Sequence, residues 1–484
     1  MEALLPDSVF TADNVAEWPS LYIQRVKPWF RLASILGEGE NGAVYSLGPT
    51  GRELVLSESD SDEYETDSEC SSSSTYSISA ASSLDSDATK SCGDSRDDND
   101  AGCSNDEMDA EDGVAGAYNE EEVRVMQDTP MGRLQVVAKE FRHLDDDVGY
   151  VVWDETEGKP IKWFVDEEEC HDYMRRRRFT SPRFHTKELA FHEDVGTIRF
   201  SDFYHETITS FMLTKLVHQS LTPHITQVVS AVEYKNKGYL LMERISGTMD
   251  DLLNDERCEV KLCNRLLQPG EIASLFFQTL FGLLTAQRVC NLKHHDLHTG
   301  NIFLQRIQGG TVFNNHSLST ATHFHYHLDG VDYYIPNCGL IAKLGDFAMA
   351  SYDVFGKRAQ RVDMDAFNDD PGKWGYWNAT YQGERGYDTQ FLFADVPVDG
   401  RHRKCGQLHK FLKTVKAAAM GKKGRVTPKK SRPIAGYVSN STADAIIQSV
   451  FGRRPLPFIN FLTRPVDDAA VIVTLGNTSA FTVR

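Results

Sequence analysis

Leu292-Lys293-His294-His295-Asp296-Leu297-His298-Thr299-Gly300-Asn301-Ile302-Phe303 is the stretch on which the reading of this chain turns. An apolar run at helical spacing, Glu271 to Val289, leads into it. Ile302 and Phe303 lead out of it as the start of a strand. Between them an Asp and an Asn stand five residues apart on a short polar loop. That pair suits phosphoryl transfer: the Asp can accept the proton of an attacking hydroxyl, and the Asn can hold a metal ion that neutralises phosphate charge. Asp-x-x-x-x-Asn is common by itself, so its weight comes from what surrounds it.

Outward from this loop the chain supplies the other groups such chemistry needs. Downstream, Leu340-Ile341-Ala342-Lys343-Leu344-Gly345-Asp346-Phe347-Ala348 reads as an apolar strand ending in an Asp, a hard oxygen ligand for a second contact to a metal ion. Upstream, Val228–Tyr234 and Tyr239–Arg244 read as strands around a turn at Lys235–Gly238. Ser201–Gln219 reads as a helix, with Phe203, Ile208, Phe211, Met212 and Leu216 apolar. Glu206 lies on that helix, and Glu188 and Glu193 precede it. Arg133–Phe141 reads as a strand carrying Lys139. Near the start, Leu32–Leu47 reads as strand, glycine loop, strand. Gly37, Gly39 and Gly42 would let the backbone approach phosphates without a Cβ in the way. No Gly-Lys-Ser/Thr follows, which excludes a Walker loop, and the glycines do not open a helix, as a dinucleotide fingerprint would.

In chain order, the glycine hairpin with Val44 two residues after Gly42, Val137-Ala138-Lys139, the helix glutamate, Leu240-Leu241-Met242-Glu243-Arg244-Ile245, the His294–Asn301 loop and Asp346-Phe347-Ala348 resemble the protein kinase superfamily. The resemblance covers about residues 31–50 and 133–395. With its insertions and no Ala-Pro-Glu, the chain is most similar to the divergent serine/threonine kinases of large DNA viruses, such as iridoviruses. The resemblance implies an α+β, bilobal, kinase-like fold with a small β-rich N-lobe and a mainly helical C-lobe. Residues 1–30 would be an N-terminal extension, 31–245 the N-lobe with insertions at 51–125 and 145–200, and 246–484 the C-lobe with an insertion at 305–338 and a basic stretch at 401–432. It implies ATP as cofactor, held by Gly37, Glu38, Gly39, Gly42 and Val44 over the phosphates and by Met242, Glu243 and Ile245 around the base. Lys139 would hold the phosphates and Glu206 would orient it. Asn301 and Asp346 would ligate Mg²⁺ (or Mn²⁺), and Asp296 would be the catalytic base. His298, standing where a lysine is usual, would supply positive charge if protonated, and Asp388 would steady the loop. His295 stands where an arginine usually pairs with a phosphorylated segment, so activity is expected without that modification. The acceptor would be Ser/Thr of protein substrates, acidic ones or the chain itself within 51–125. Two alternatives stay open: a small-molecule phosphotransferase of the aminoglycoside or choline kinase type, whose His-x-Asp-Leu-His-x-Gly-Asn loop is also similar, and a pseudokinase scaffold.

Composition sets the outer limits. The 484 residues carry a formal charge of −19, and 51–125 alone holds 22 Asp and Glu against 4 Lys and Arg. That stretch, rich in Ser and poor in large apolar side chains, reads as disordered. Residues 401–432 hold 12 Lys and Arg with no acid, so they could bind polyanions, although nucleic acid is not the expected partner. Nine scattered cysteines with no Cys-x-x-Cys exclude a disulfide framework or a cysteine zinc site. Neither a signal peptide nor a membrane-spanning run is read, and Leu275–Leu284 reads as core helix, so the expected location is cytoplasmic: host cytoplasm or virion if viral. His323, His325 and His327 alternate and would share one face of a strand in an exposed hairpin. Thr442–Phe451 and Leu456–Leu462 read as final helices.

Overall fold

The computed structural model describes residues 18–25, 27–28, 30–39, 42–48, 126–129, 132–142, 144, 149–164, 167–189, 191–194, 197–361, 386–396, 405–420, 442–453, 455–465 and 470–478. The acidic stretch, the hairpin tip at Glu40 and Asn41, and the flanks of the basic stretch lie outside these residues. The fold is mixed α+β, with several sheets around one large hydrophobic core and several smaller ones.

Helix α1 (Trp18–Tyr22) plants Trp18 in the larger core, stacked on Phe200. Strands β1 (Arg31–Gly39), β2 (Gly42–Gly48) and β3 (Gly132–Arg142) run antiparallel, with Gly37 opposite Val44 and Val44 opposite Lys139. The period of two along β3 sorts its side chains. Val136 and Ala138 join Phe30, Leu47 and Leu241 on one face. Phe141 turns to the other face, against Phe203, and Lys139 shares that parity.

An appended unit follows: β4 (Gly149–Asp154), β5 (Lys159–Phe164), helix α2 (Glu167–Arg177) and β6 (Phe184–Leu189). The unit is a three-stranded antiparallel sheet with β4 central. Glutamates fill the first turn of α2 and arginines its last turn, which complements the helix dipole. Asp154 ties the unit together, accepting from the Arg183 guanidinium and from Thr156 and Glu157 N–H.

Strands β7 (Phe191–Asp194) and β8 (Thr197–Phe200) then lead directly into α3 (Asp202–His218). Helix α3 packs on the sheet completed by β9 (Val228–Tyr234) and β10 (Lys237–Glu243). Its approach is so close that a Cβ on Gly238 would sit 2.6 Å from the Phe203 ring.

The larger core forms around α4 (Met249–Asn254) and α5 (Pro269–Cys290). Pro269 suits the first turn of α5, where its missing N–H is not needed, and Asn291 ends the helix at φ 49°. Among the described residues α5 is the one helix long and apolar enough to cross a membrane, and it is almost wholly buried inside the fold as a core helix. Strand β11 (Ile302–Arg306) follows, then a hairpin of β12 (His323–Leu328) and β13 (Val331–Pro336), then β14 (Leu340–Leu344). The histidine hairpin is not merely surface. Phe324, Tyr326 and Leu328 of β12 face the core, while His325 and His327 share Asp332 outside. Among the described residues no group of three or more His, Cys, Asp or Glu side chains suits a metal ion. A short hairpin, β15 (Tyr352–Val354) and β16 (Lys357–Arg361), precedes helices α6 (Tyr387–Asp395) and α7 (Gly406–Met420). The terminal strand β17 (Ile472–Asn477) lies parallel to β12. Leu456–Leu462 is not the expected helix: Pro455 and Pro457 withhold N–H donors there, and the segment runs irregularly.

The cores are joined by a buried ion pair. Lys343 Nζ on β14 lies 2.6 Å from Glu243 Oε1 at the end of β10, both fully buried. Glu243 also accepts from Gln227 N–H (2.7 Å) and Gln305 Nε2 (2.8 Å), so its lone pairs are well used. Removing one partner strands the other charge, so Lys343→Met is expected to cost about 3–5 kcal/mol in denaturant unfolding. A loss within about 0.5 kcal/mol, as at an ordinary surface site, would show that the pair does not hold the cores together.

Candidate active site

The polar loop after α5 is fixed by its backbone. Lys293 exchanges two 2.8 Å backbone bonds with Ser351. Asp388, buried on α6, accepts from His294 N–H (3.0 Å) and His295 N–H (2.9 Å) with its two oxygens. His294 Nε2 donates to the Gly345 carbonyl (2.9 Å), and Gly345 N–H donates to the Asn301 carbonyl (3.1 Å). The loop and the start of the Asp346 segment are therefore one unit. Gly345 permits the fit, since a Cβ there would meet the Phe303 ring at 2.0 Å. His295 and Asp346 both adopt left-handed backbone, φ 63° and 57°. Non-glycine residues are held so only by strong surroundings, and such positions concentrate at working sites.

His295 is buried, and its Nε2 lies 2.7 Å from Ser351 Oγ. Burial, with Arg358 and Lys293 nearby, holds its pKa well below the ordinary value. It is a buried side chain held neutral, unlike the arginine whose place it takes.

Opposite this loop, Lys139 bridges two carboxylates. Its Nζ lies 2.7 and 2.8 Å from the Glu206 oxygens and 3.4 Å from Asp346 Oδ1. Glu206 is 2% exposed. Burial pulls the Lys139 ammonium down, but Asp346 and Glu206 more than offset it and hold its pKa above the ordinary value. Burial raises Glu206 to about 6 against the pull of Lys139. Asp346, only half-buried, is held below its ordinary value against its desolvation, chiefly by Lys139 and then His294. Of the rival glutamates, Glu188 is exposed on β6 of the appended unit, and Glu193 lies on β7.

Asp296 lies near enough to Asp346 for the two charges to interact. Asn301 Nδ2 donates to the Asp296 carbonyl (2.9 Å) and contacts Oδ2 (3.3 Å). Burial, then the Asp346 charge, raises Asp296 above its ordinary value, with His298, His294 and Asn301 pulling the other way. His298 Nδ1 accepts from Gly300 N–H at 3.1 Å, so the neutral ring carries its proton on Nε2. That Nε2 lies 3.7 Å from Asp296 Oδ2. In the neutral ring a donor therefore stands beside the acid.

Asn301 and Asp346 offer an amide oxygen and a carboxylate, hard donors that fit Mg²⁺ or Mn²⁺ with water and phosphate completing the shell. At the edge of the sheet, Gly37, Glu38 and Gly39 pair with Val44, Ala43 and Gly42 as a hairpin. Met242 is half-buried on β10, and Glu243 uses its N–H on the Gln227 carbonyl and its side chain inward. Among the described residues no backbone hydrogen bond engages Ile245. Sequence reasoning passed over Lys343, Ser351 and Asp250, whose Oδ1 accepts from Thr299 Oγ1 (3.0 Å) within the loop. A lysine in an otherwise apolar run, Leu340–Leu344, was the one available signal.

No family model matches the chain. Over 157 residues, 32% of this chain, it is 24% identical to the protein described as probable kinase 098L of Invertebrate iridescent virus 3. The aligned stretch spans 28% of that relative's length. The similarity supports a distant kinase-like relationship.

The charges of the cleft yield a pH test. Glu206 titrates near 6 in the folded chain, above the about 4.3 of a free glutamate. The folded state therefore binds this proton more tightly, and the stability so gained is present below the unfolded value and lost as pH rises through 6. In Lys139→Met the cation that restrains Glu206 is gone while Asp346 remains, so the variant should be hurt most where Glu206 must ionise. Its melting-temperature deficit against wild type is expected to be largest near pH ~7.5 and to shrink toward pH ~5. A constant deficit over that range would contradict this charge balance.

Proposed function

We propose that this chain is an ATP-dependent protein kinase with a bilobal kinase-like fold, transferring the γ-phosphate to Ser/Thr hydroxyls of protein substrates. The observation that carries the reading is the Lys139–Glu206–Asp346 cluster, whose Asp346 follows Gly345, itself bonded to the Asn301 carbonyl of the Asp296–Asn301 loop. The distant viral kinase similarity supports it.

In this reading the sheet around β1–β3 is the N-lobe core and the α5-centred core belongs to the C-lobe. The glycine hairpin covers the phosphates, with Gly37, Glu38, Gly39, Gly42 and Val44 toward the nucleotide. Met242, Glu243 and Ile245 border the base, Ile245 offering backbone groups. Lys139, oriented by Glu206, holds the phosphates. Asn301 and Asp346 would hold Mg²⁺, which when bound neutralises charge on the phosphate oxygens. Asp296 accepts the hydroxyl proton at its carboxylate, and its raised pKa, caused first by burial, favours that acceptance. His298 presents Nε2–H toward the transferring group, so its contribution does not depend on a charged imidazole.

The test is labelled ATP with a mixed set of proteins, and in parallel with choline and an aminoglycoside. Label is expected on protein Ser/Thr, falling by about 10²–10⁴-fold in Asp296→Asn and in Lys139→Met with folded-state spectra unchanged. His298→Gln, which keeps a donor, is expected to retain most turnover, whereas His298→Leu loses about 10²–10³-fold. Label on the small molecules alone would favour the alternative phosphotransferase. Unchanged turnover in Asp296→Asn would overturn its role as base.

A further inference from the structure

The hairpin that follows Asp346 is bound to the strand that precedes α3. Strand β16 pairs in parallel with β8, Arg358 opposite Thr197 and Arg361 opposite Phe200. Two residues after Phe200, Asp202 opens α3, and its Oδ1 lies 2.6 Å from Arg361 Nε. The two side chains are 15% and 9% exposed, so water screens the pair little. Arg361 also reaches Met349 Sδ, three residues after Asp346. One turn into the helix, His205 Nε2 donates to the Ala350 carbonyl at 2.7 Å. Asp202 and Glu206 are four residues apart and lie on the same side of α3.

These contacts converge on one result. Helix α3 cannot swing Glu206 away from Lys139 without breaking the Asp202–Arg361 pair, the His205 bond and the β8–β16 strand pairing. We infer that Asp202 and Arg361 are positioning residues that lock Glu206 against Lys139, with a resident charge pair doing the work and no phosphate required. The inference rests on the proposed kinase reading for its consequence in turnover. Its structural part, the immobilisation of α3, stands on the contacts alone.

The arrangement fixes the expected phenotype. Neither residue touches Lys139, so loss of the pair should act through the placement of Glu206, and small misplacements of such groups cost up to about 100-fold in rate. A charge reversal of both residues should restore the pair, whereas a merely structural defect would worsen.

The experiment uses the full chain after phosphatase treatment. Wild type, Arg361→Ala, Arg361→Lys and the reversed pair Asp202→Arg/Arg361→Asp are compared by amide hydrogen exchange over 202–218 and by turnover with labelled ATP. Wild type is expected to protect α3 without any phosphate. Arg361→Ala should raise exchange in α3 by about tenfold or more, since local opening is then easier, and turnover should fall in parallel. Arg361→Lys and the reversed pair should each recover protection and turnover in part. Unchanged α3 exchange in Arg361→Ala would overturn the inference, as would a reversed pair no better than the single variant. Should wild type transfer no phosphate, the kinase reading falls, and the exchange data still decide whether the pair locks the helix.

Discussion

A single ammonium group sets the terms for this structure. Lys139 Nζ needs counter-charges because it is largely withdrawn from water, Glu206 needs a cation for the same reason, and the half-exposed Asp346 completes the cluster. The three come from a strand, a helix and a loop separated by up to 207 residues in sequence. Bringing them together requires β3 to present Lys139 on the helix side, α3 to approach over Gly238, and the chain after β14 to bend at Asp346. Each demand is visible as a local feature: the parity of β3, the missing side chain at Gly238, and the left-handed φ at Asp346.

The catalytic-type loop is governed by the opposite problem, satisfying backbone groups in a chain that is neither helix nor strand. Left-handed backbone at His295 and Asp346 costs on the order of 1–3 kcal/mol each. Asp388 answers with two backbone bonds, His294 with one to Gly345, and Ser351 with a pair to Lys293. Strain and restraint thus sit on the same few residues. Asp296 and Asn301 are held against each other within this braced loop.

Much of this was legible because local pattern and tertiary need agreed. The period of α5, the strand ending in Asp346 and the Asp296–Asn301 spacing all read directly from residue type. Lys139 and Glu206 were nameable as a pair only through family resemblance, because nothing local to either one specifies the other. The β8–β16 pairing could not be read at all. Parallel pairing between strands about 160 residues apart leaves no local trace, and only Phe355-Gly356, both at positive φ, marks the β15–β16 turn. Leu456–Leu462 departs from the helical reading because Pro455 precedes it and Pro457 lies within it.

Whether the Lys139 cluster and the Asp296–Asn301 loop form one nucleotide site is tested most directly by calorimetric titration with a non-hydrolysable ATP analogue, with and without Mg²⁺. Wild type is expected to bind the analogue in a Mg²⁺-dependent manner, Asp346→Ala to lose the Mg²⁺ dependence, and Lys139→Met to bind more weakly in both conditions. Absence of binding by folded wild type, or binding untouched by Mg²⁺ and by both substitutions, would contradict a phosphoryl-transfer site in this cleft.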